Sequence, residues 1–390
     1  MTERLYENDS YAGRFEAEVV RSEAGSDCSR IVLDRTLFFP EEGGQSADRG
    51  TLNGLEVCDV QIHDGEIIHT VKGELPVGTK VTGVLDWDFR FRNMQMHSGE
   101  HIFSGLVYRQ FGFSNVGFHL SENSATMDFN GKLTAEDIAS IEKRANEIIV
   151  ENHPIRAWYP SADELASLEY RSKKALEGPV RLVAIENIDL CACCVPHVRS
   201  TAEIGCFKIV ASENYKGGVR LQYRCGFRAM EYFENCLSRL SEVGRLVSAK
   251  PEQIGSAVEK LLEDNRQLHF RLLQAERAAV ADKLKEKARD GQNADKLLLF
   301  LSADAGLLRY AMDEAEQYFS GTVALFFGDE ENGYRYILEN RESDLAEMHN
   351  AFRATCGAKG GGSPRSVTGS VRCTEQEIRQ FFKEYGFCVL

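Results

Sequence analysis

The chain has 390 residues, 43% apolar and 27% charged, a globular composition that implies two or three domains at one per roughly 150 residues. Its 46 basic and 60 acidic side chains give a formal charge of −14, which argues against a nonspecific DNA binder yet leaves room for a local basic groove. No stretch approaches the roughly 20 apolar residues of a membrane span, and MTERLYENDSYAGRFEAEVV has no apolar export core. A cytoplasmic protein that does not touch membranes is expected. The 11 cysteines are odd in number and unevenly spread, a poor disulfide framework.

Residues 1–90 read as short β-branched strands broken by turns: FEAEVVRSE, SRIVLD, LEVCDVQIHDGEIIHTV and KVTGVLD. They fit a small barrel or sandwich, and the β-barrel is the expectation. A helix is predicted from about Asp88 to Phe111, closed by Gly112, with Met94, His97, His101 and Ser104 on one stripe. Residues 113–228 alternate strands with a helix over about 134–151, for which Thr134 offers an N-cap, giving an α+β pattern. Beyond Pro251, Ile254, Val258, Leu261, Asn265, Leu268, Leu272, Ala275 and Ala279 recur at steps of 4 and 3, a coiled-coil seam with one polar position. An intramolecular helical hairpin and a homodimer through residues 254–279 fit it equally. Gly291-Gln292-Asn293 ends that stretch, and LLLFL and VALFFG predict buried parallel strands separated by a helix. A glycine-rich loop, GAKGGGSPR, and a final helix from about Thr374 complete an α/β segment. The expected division is 1–90, 91–228, 229–290 and 291–390, within an α+β class.

Three cysteines, Cys191, Cys193 and Cys194, crowd beside His197. His97-Ser-Gly-Glu-His101 places two imidazoles four residues apart on one helix face, where both can hold one ion. Cys193-Cys-Val-Pro-His197 adds a thiolate and an imidazole at the same spacing. Three nitrogens and a sulfur form a zinc-type donor set. Glu100 does not directly follow the first histidine, so HSGEH is not the HExxH of a metalloprotease. On an ideal helix Glu100 lies about 100° from His101, in the position of a solvent or supporting group and only a weak catalytic candidate. His119 points off an apolar strand face and reads as a surface imidazole. Lys216, Arg220, Arg224 and Arg228 form one basic stripe, and Arg171, Lys173, Lys174 and Arg181 another; both are candidates for phosphate contacts.

MQMHSGEHIFSG, CCVPHVRSTAEIGCFKI and LDRTLFFPEEGGQSADRG resemble the signatures of the alanyl-tRNA editing proteins, the free-standing AlaX-type relatives of the alanyl-tRNA synthetase editing domain. The resemblance covers nearly the whole chain, and GAKGGGSPR is similar to the glycine-rich C-terminal domain of alanyl-tRNA synthetases, which marks a long form. It implies a trans-editing hydrolase that deacylates Ser-tRNA(Ala) and, by extension, Gly-tRNA(Ala). It implies zinc held by His97, His101, Cys193 and His197, and makes 91–228 the editing domain. It gives Gly43, Gly44 and Gln45 a role in shaping the site or meeting the tRNA end, and Gly360, Gly361 and Gly362 a role with tRNA. Thr36, just upstream of the Glu41–Gln45 loop, is a weak candidate to offer its hydroxyl to a serine side chain. The sequence departs from the family's usual CGGTH or CCGTH at Val195 and Pro196, which leaves a zinc-stabilised tRNA-binding protein without hydrolytic activity as the alternative. A phosphoesterase is disfavoured because no Asp-His-His triplet occurs. Four protein ligands would complete a tetrahedron, so one ligand is loose, the coordination expands, or the ion only orients the 3′ end.

Overall fold

The computed structural model describes residues 2–122, 125–172, 178–290 and 295–389, and the chain separates into two compact units, Met1–Leu240 and Ser241–Leu390. The fold is mixed α+β. In the first unit, strands β1 (Arg14–Glu23), β2 (Ser29–Leu33), β3 (Gly50–Leu52), β4 (Leu55–His63), β5 (Glu66–Val71) and β6 (Lys80–Leu85) close into a barrel in the order β1-β2-β5-β4-β3-β6. Their period-2 alternation turns Phe15, Val19, Ile31, Leu33, Val81 and Leu85 into the barrel core. Gly83 on β6 faces Phe15, and a Cβ there would lie 2.1 Å from the ring, so the phenylalanine fills the space the glycine leaves.

Helix α1 (Trp87–Phe111) starts where Asp86 accepts the Phe89 N–H at 3.1 Å and ends at Gly112, whose φ of +70° suits glycine. It is buried on nearly every face between Phe89 and Val107, which makes it the central helix of this unit. Beside it lie two antiparallel sheets. One has the order β12-β13-β8-β7, from β7 (Asn115–Leu120), β8 (Ala125–Phe129), β12 (Phe207–Tyr215) and β13 (Gly218–Cys225); the other runs β9 (Ile155–Trp158), β10 (Leu182–Ile185), β11 (Asp189–Ala192). Helix α2 (Ala135–Glu151) is opened by the predicted Thr134 cap, here a full capping box with Asp137.

Arg90 joins α1 to the barrel. Its guanidinium is fully buried against Asp48, with Nε 3.0 Å from both carboxylate oxygens, and it also donates to the carbonyls of Leu37 (2.6 Å) and Ser10 (3.1 Å). Asp48 in turn accepts the Phe39 N–H at 2.7 Å. The ion pair thereby fixes residues 37–48, which carry the Gly43-Gly44-Gln45 turn.

Helices α3 (Gly226–Leu246) and α4 (Ile254–Asp290) follow. The second unit is built on a six-stranded mixed sheet of β14 (Lys296–Leu301), β15 (Thr322–Asp329), β16 (Gly333–Glu339), β17 (Lys359–Ser363), β18 (Ser366–Val371) and β19 (Cys388–Val389), in the order β17-β18-β16-β15-β14-β19. LLLFL and VALFFG are its buried parallel neighbours β14 and β15, with Leu297 level with Val323. Helices α6 (Ala346–Cys356) and α7 (Glu375–Glu384) contribute Phe352 and Phe382 to one core, while α4 and α5 (Leu308–Ala315) contribute Leu284 and Met312 to the other.

Along the α4 seam Ile254 is buried, whereas Leu261, Leu268 and Leu272 are exposed. Val280 and Leu284, on a second stripe, pack into the core with α5. One expectation is corrected here: GAKGGGSPR is not simply a loop, because Lys359–Ser363 pairs with β18 as an edge strand. Gly360 and Gly369 face each other there, and a Cβ on either would come within 2.9 and 2.5 Å of the Tyr336 hydroxyl, itself hydrogen-bonded to His349 at 2.8 Å. A lone buried ion costs more than its absent partner contributed. Asp48→Ala is therefore expected to lower unfolding free energy by about 3–5 kcal/mol in urea titrations, and Asp48→Leu with Arg90→Met to recover much of that loss.

Candidate metal centre

His97 and His101 project from α1, and Cys193 and His197 come from the loop after β11. Their ligand atoms all lie within 4.8 Å of one another. The Cys193 Sγ is 3.4 Å from Nε2 of both His97 and His197. The loop reaches α1 because Gly105 lies one turn beyond His101: a Cβ there would meet the Ile188 carbonyl at 2.7 Å and Asp189 at 2.8 Å. The cluster could hold a metal ion.

Each supporting contact orients a donor. Asp189 Oδ2 accepts from His101 Nδ1 at 2.9 Å, leaving Nε2 toward the cluster, and Asp189 is itself gripped by Arg171 at 2.6 and 2.9 Å. Ser98 Oγ lies 3.0 Å from His197 Nδ1 and accepts the Val198 N–H. Arg181 donates to the carbonyls of Cys193 and Val195 at 3.0 and 3.1 Å, bracing the loop. Burial disfavours the thiolate of Cys193, but His97, His101 and His197 outweigh it and hold the thiol well below its ordinary range. The next thiol behaves oppositely: burial, Cys193 and Glu42 push Cys194 well above its ordinary range. Burial disfavours the His101 cation, yet Asp189 and Cys193 raise it to about 9, whereas burial and the His101 charge push His197 down to about 3. Cys191 is near His101 and Asp189, and burial pushes its thiol up.

Glu100 is fully buried, not at the solvent. Its Oε1 accepts from Ser104 Oγ and Asn115 Nδ2, each at 2.5 Å, and its Oε2 is 4.0 Å from His101 Nε2.

Two family models match: "tRNA synthetases class II (A)" over residues 8–89 and "Threonyl and Alanyl tRNA synthetase second additional domain" over 180–222. The chain is 28% identical to the alanyl-tRNA editing protein AlaX-L of Pyrococcus horikoshii, over 97% of this chain and 96% of that one. It is 36% identical to AlaX-M of Saccharolobus solfataricus, over 57% of this chain and 98% of the relative. The chain belongs to the alanyl-tRNA editing protein family. The alanine–tRNA ligase of Archaeoglobus fulgidus is 30% identical over 95% of this chain, which spans 42% of the ligase.

In this editing protein the Gly43-Gly44-Gln45 turn stands beside the metal centre. A Cβ on Gly43 would lie 3.1 Å from Val195, and one on Gly44 would strike the Phe118 carbonyl at 2.3 Å; the Phe118 ring is 4.8 Å from that of His97. Val195, the departure from the family pattern, is fully buried in the barrel core, so its isopropyl group ties the metal loop to the barrel. Gln45 is fully buried, and neither atom of its amide has a protein partner.

Other expected site residues lie elsewhere. Thr36 is inside the barrel, where its hydroxyl meets His69 Nε2 at 2.9 Å and accepts the Phe38 N–H. Lys216 is at the β12–β13 turn, while Arg220 is paired with Asp128 at 2.7 Å and covers Tyr215. Arg171, Arg181 and Arg228 are engaged in internal contacts, Arg228 with Asn93 and the Ser121 carbonyl, and so leave the basic stripes. Lys173 and Lys174 lie outside the described residues. Of the three C-terminal glycines, Gly361 alone faces open space. Asp189, Arg171 and Ser98 were not singled out as ligand supports, because a contact across 88 or 99 residues has no local spacing signal.

Supporting carboxylates are worth roughly 10- to 100-fold in metal affinity. Asp189→Asn and Gly105→Val should both show a loss of that size in chelator competition.

Proposed function

We propose that this protein hydrolyses the ester of tRNA(Ala) carrying serine, and of tRNA(Ala) carrying glycine, at a zinc centre formed by His97, His101, Cys193 and His197. As a member of the editing family it is an aminoacyl-tRNA deacylase; the amino acids and the ion are the proposal. The observation that carries it is the convergence of three imidazoles and one ionised thiol. Zinc–nitrogen bonds of about 2.0–2.1 Å and a zinc–sulfur bond of about 2.3 Å around a tetrahedron require N···S distances of roughly 3.5 Å, and the cluster offers 3.4 Å twice. The need is intelligible: a synthetase pocket sized for alanine rejects smaller glycine and slightly larger serine poorly, so a second sieve is required.

The chain's own groups supply the rest. Zinc, when bound, supplies Lewis-acid stabilisation or anchoring of the ester end. Glu100, one oxygen fixed by Ser104 and Asn115, directs the other toward the ligands, where it can accept a proton from the attacking water. Thr36, whose hydroxyl meets His69 and the Phe38 N–H inside the barrel, is not assigned the contact to a serine side chain. The unpartnered Gln45 amide is the group assigned to a polar substituent of the aminoacyl end, with Gly43 and Gly44 keeping the wall free of side chains. Lys216 at its turn and Gly361 on the open face of β17 are assigned to more distant parts of the tRNA.

The exposed α4 seam is assigned to self-association. A parallel pairing sets Asn265 opposite its counterpart, Asp264 beside His269 and Arg271 beside Glu276 of the second copy; an antiparallel one sets Asn265 against Leu268. Sedimentation should give a dimer that Leu268→Asp converts to monomer.

The deciding assay incubates the zinc-loaded protein with Ser-, Gly- and Ala-tRNA(Ala). Release of serine and glycine with alanine retained is expected, and His101→Ala and Cys193→Ala should lose metal and hydrolysis together. Tight tRNA binding without release of any amino acid would establish the non-hydrolytic alternative instead.

A further inference from the structure

One surface of the first unit carries a chain of aromatic rings that the metal centre does not use. Tyr11 and Trp87 have ring centroids 5.6 Å apart, Trp87 and Phe91 5.9 Å, and Phe91 and Phe227 6.4 Å. A guanidinium lies at each end, Arg199 3.9 Å above Tyr11 and Arg92 5.4 Å from Phe227. Tyr11 and Phe91 are half-buried against the core, while Trp87 is 38% exposed, Phe227 50% and the adjoining Met230 52%, so the row presents ring surface to solvent on its outer side.

Its position is what gives it meaning. Arg199 stands two residues beyond the ligand His197, and its N–H donates to the Tyr11 hydroxyl at 3.0 Å. Ser10, next to Tyr11, donates to the His197 carbonyl at 3.1 Å. The strip therefore begins at the backbone of the metal loop and leads away from it. An ester held at the centre is attached to the last nucleotide of an unpaired strand, and the preceding nucleotides must leave along the protein surface. Flat rings accept any base by stacking, and flanking guanidinium groups accept its phosphates. Arg199 is suited to that, with 66% of its side chain exposed, although it also lies over Tyr11 and 3.7 Å from the Asp9 carboxylate. Arg92 is held by Asp88 and Glu231 and serves to brace the Phe227 end.

We propose that the Tyr11–Trp87–Phe91–Phe227 strip is the stacking platform for the unpaired 3′-terminal nucleotides of the aminoacylated tRNA. The assignment rests on the deacylase reading above, since it is the ester at the metal centre that puts this strand here.

The chain has two tryptophans, Trp87 and Trp158, so Trp158→Phe leaves Trp87 as a single reporter. Titrating this full-length, metal-loaded variant with the tetranucleotide ACCA should quench its fluorescence saturably, and a tetramer of the same charge without bases should not. Phe227→Ala and Phe227→Leu should each weaken the tetranucleotide about tenfold and raise KM for aminoacylated tRNA by a similar factor, with kcat and bound metal little changed; Phe227→Tyr should restore both. The leucine variant keeps an apolar side chain but loses the flat face, so its loss cannot be ascribed to unfolding. Ester hydrolysis with no quenching, and with KM unmoved in Trp87→Ala, Phe227→Ala, overturns the platform. Saturable quenching by ACCA in a protein that releases no amino acid supports the platform and removes the hydrolase reading.

Discussion

The buried pairing of Arg90 with Asp48 is the contact on which the site depends, because it is where the barrel and the central helix become one body. A guanidinium without water must spend its donors on the protein, and Arg90 does so on three separate segments: the carboxylate of Asp48 and the carbonyls of Leu37 and Ser10. Those segments flank the glycine turn on one side and the start of the aromatic strip on the other. About two and three turns along the same helix come His97 and His101. One charged side chain thus sets the distance between the wall of the cleft and its floor. The barrel is in this sense part of the active unit, and Val195, reaching from the metal loop into the barrel core, closes the connection from the opposite direction.

The two neighbouring thiols show how finely the environment is divided. Cys193 and Cys194 share a backbone and a burial level, yet the first is surrounded by imidazoles and the second by the first thiolate and Glu42. The sulfur whose ionisation its surroundings favour is the one beside the histidines. Since only the thiolate is a good metal ligand, the loop presents one donor and withholds the other, and Arg181 holds the carbonyls that keep this orientation. Proline at 196 and valine at 195 are compatible with that geometry.

Much of this was legible in the chain. Gly112 and Thr134 bound their helices by cap chemistry, which is local, and so they could be read, whereas the Asp86 cap was not singled out. The HxxxH and CxxxH pairs were visible because helical and loop spacings are local too. What escaped were contacts between distant segments. Nothing near Glu100 indicates that Asn115, on the following strand, will help to hold it inward, and nothing near Arg181 or Arg228 distinguishes a phosphate-binding arginine from one that braces carbonyls. The α4 seam shows the same limit. Its 4-3 spacing is an intrinsic property of the helix, whereas the partner that covers it is not, and a second stripe at Val280 and Leu284 is the one taken up by the C-terminal core. The triple glycine similarly serves packing in part, since Tyr336 needs the room left at Gly360 and Gly369.

The separation of the ligands along the chain has a consequence for how the protein behaves when it unfolds. His97 and Cys193 are 96 residues apart yet their side chains are 3.4 Å apart. An ion held between them closes a long loop, and closing a loop of that length removes considerable freedom from the unfolded chain. Such a bond acts as a reversible cross-link in a protein that makes no disulfide among its described cysteines. The donors meet only through distant contacts, so an ion bound there would depend on the barrel, the helix and the loop being docked. A chelator would then act as a reducing agent does on a secreted protein: it would release the clasp and leave the noncovalent core to hold alone.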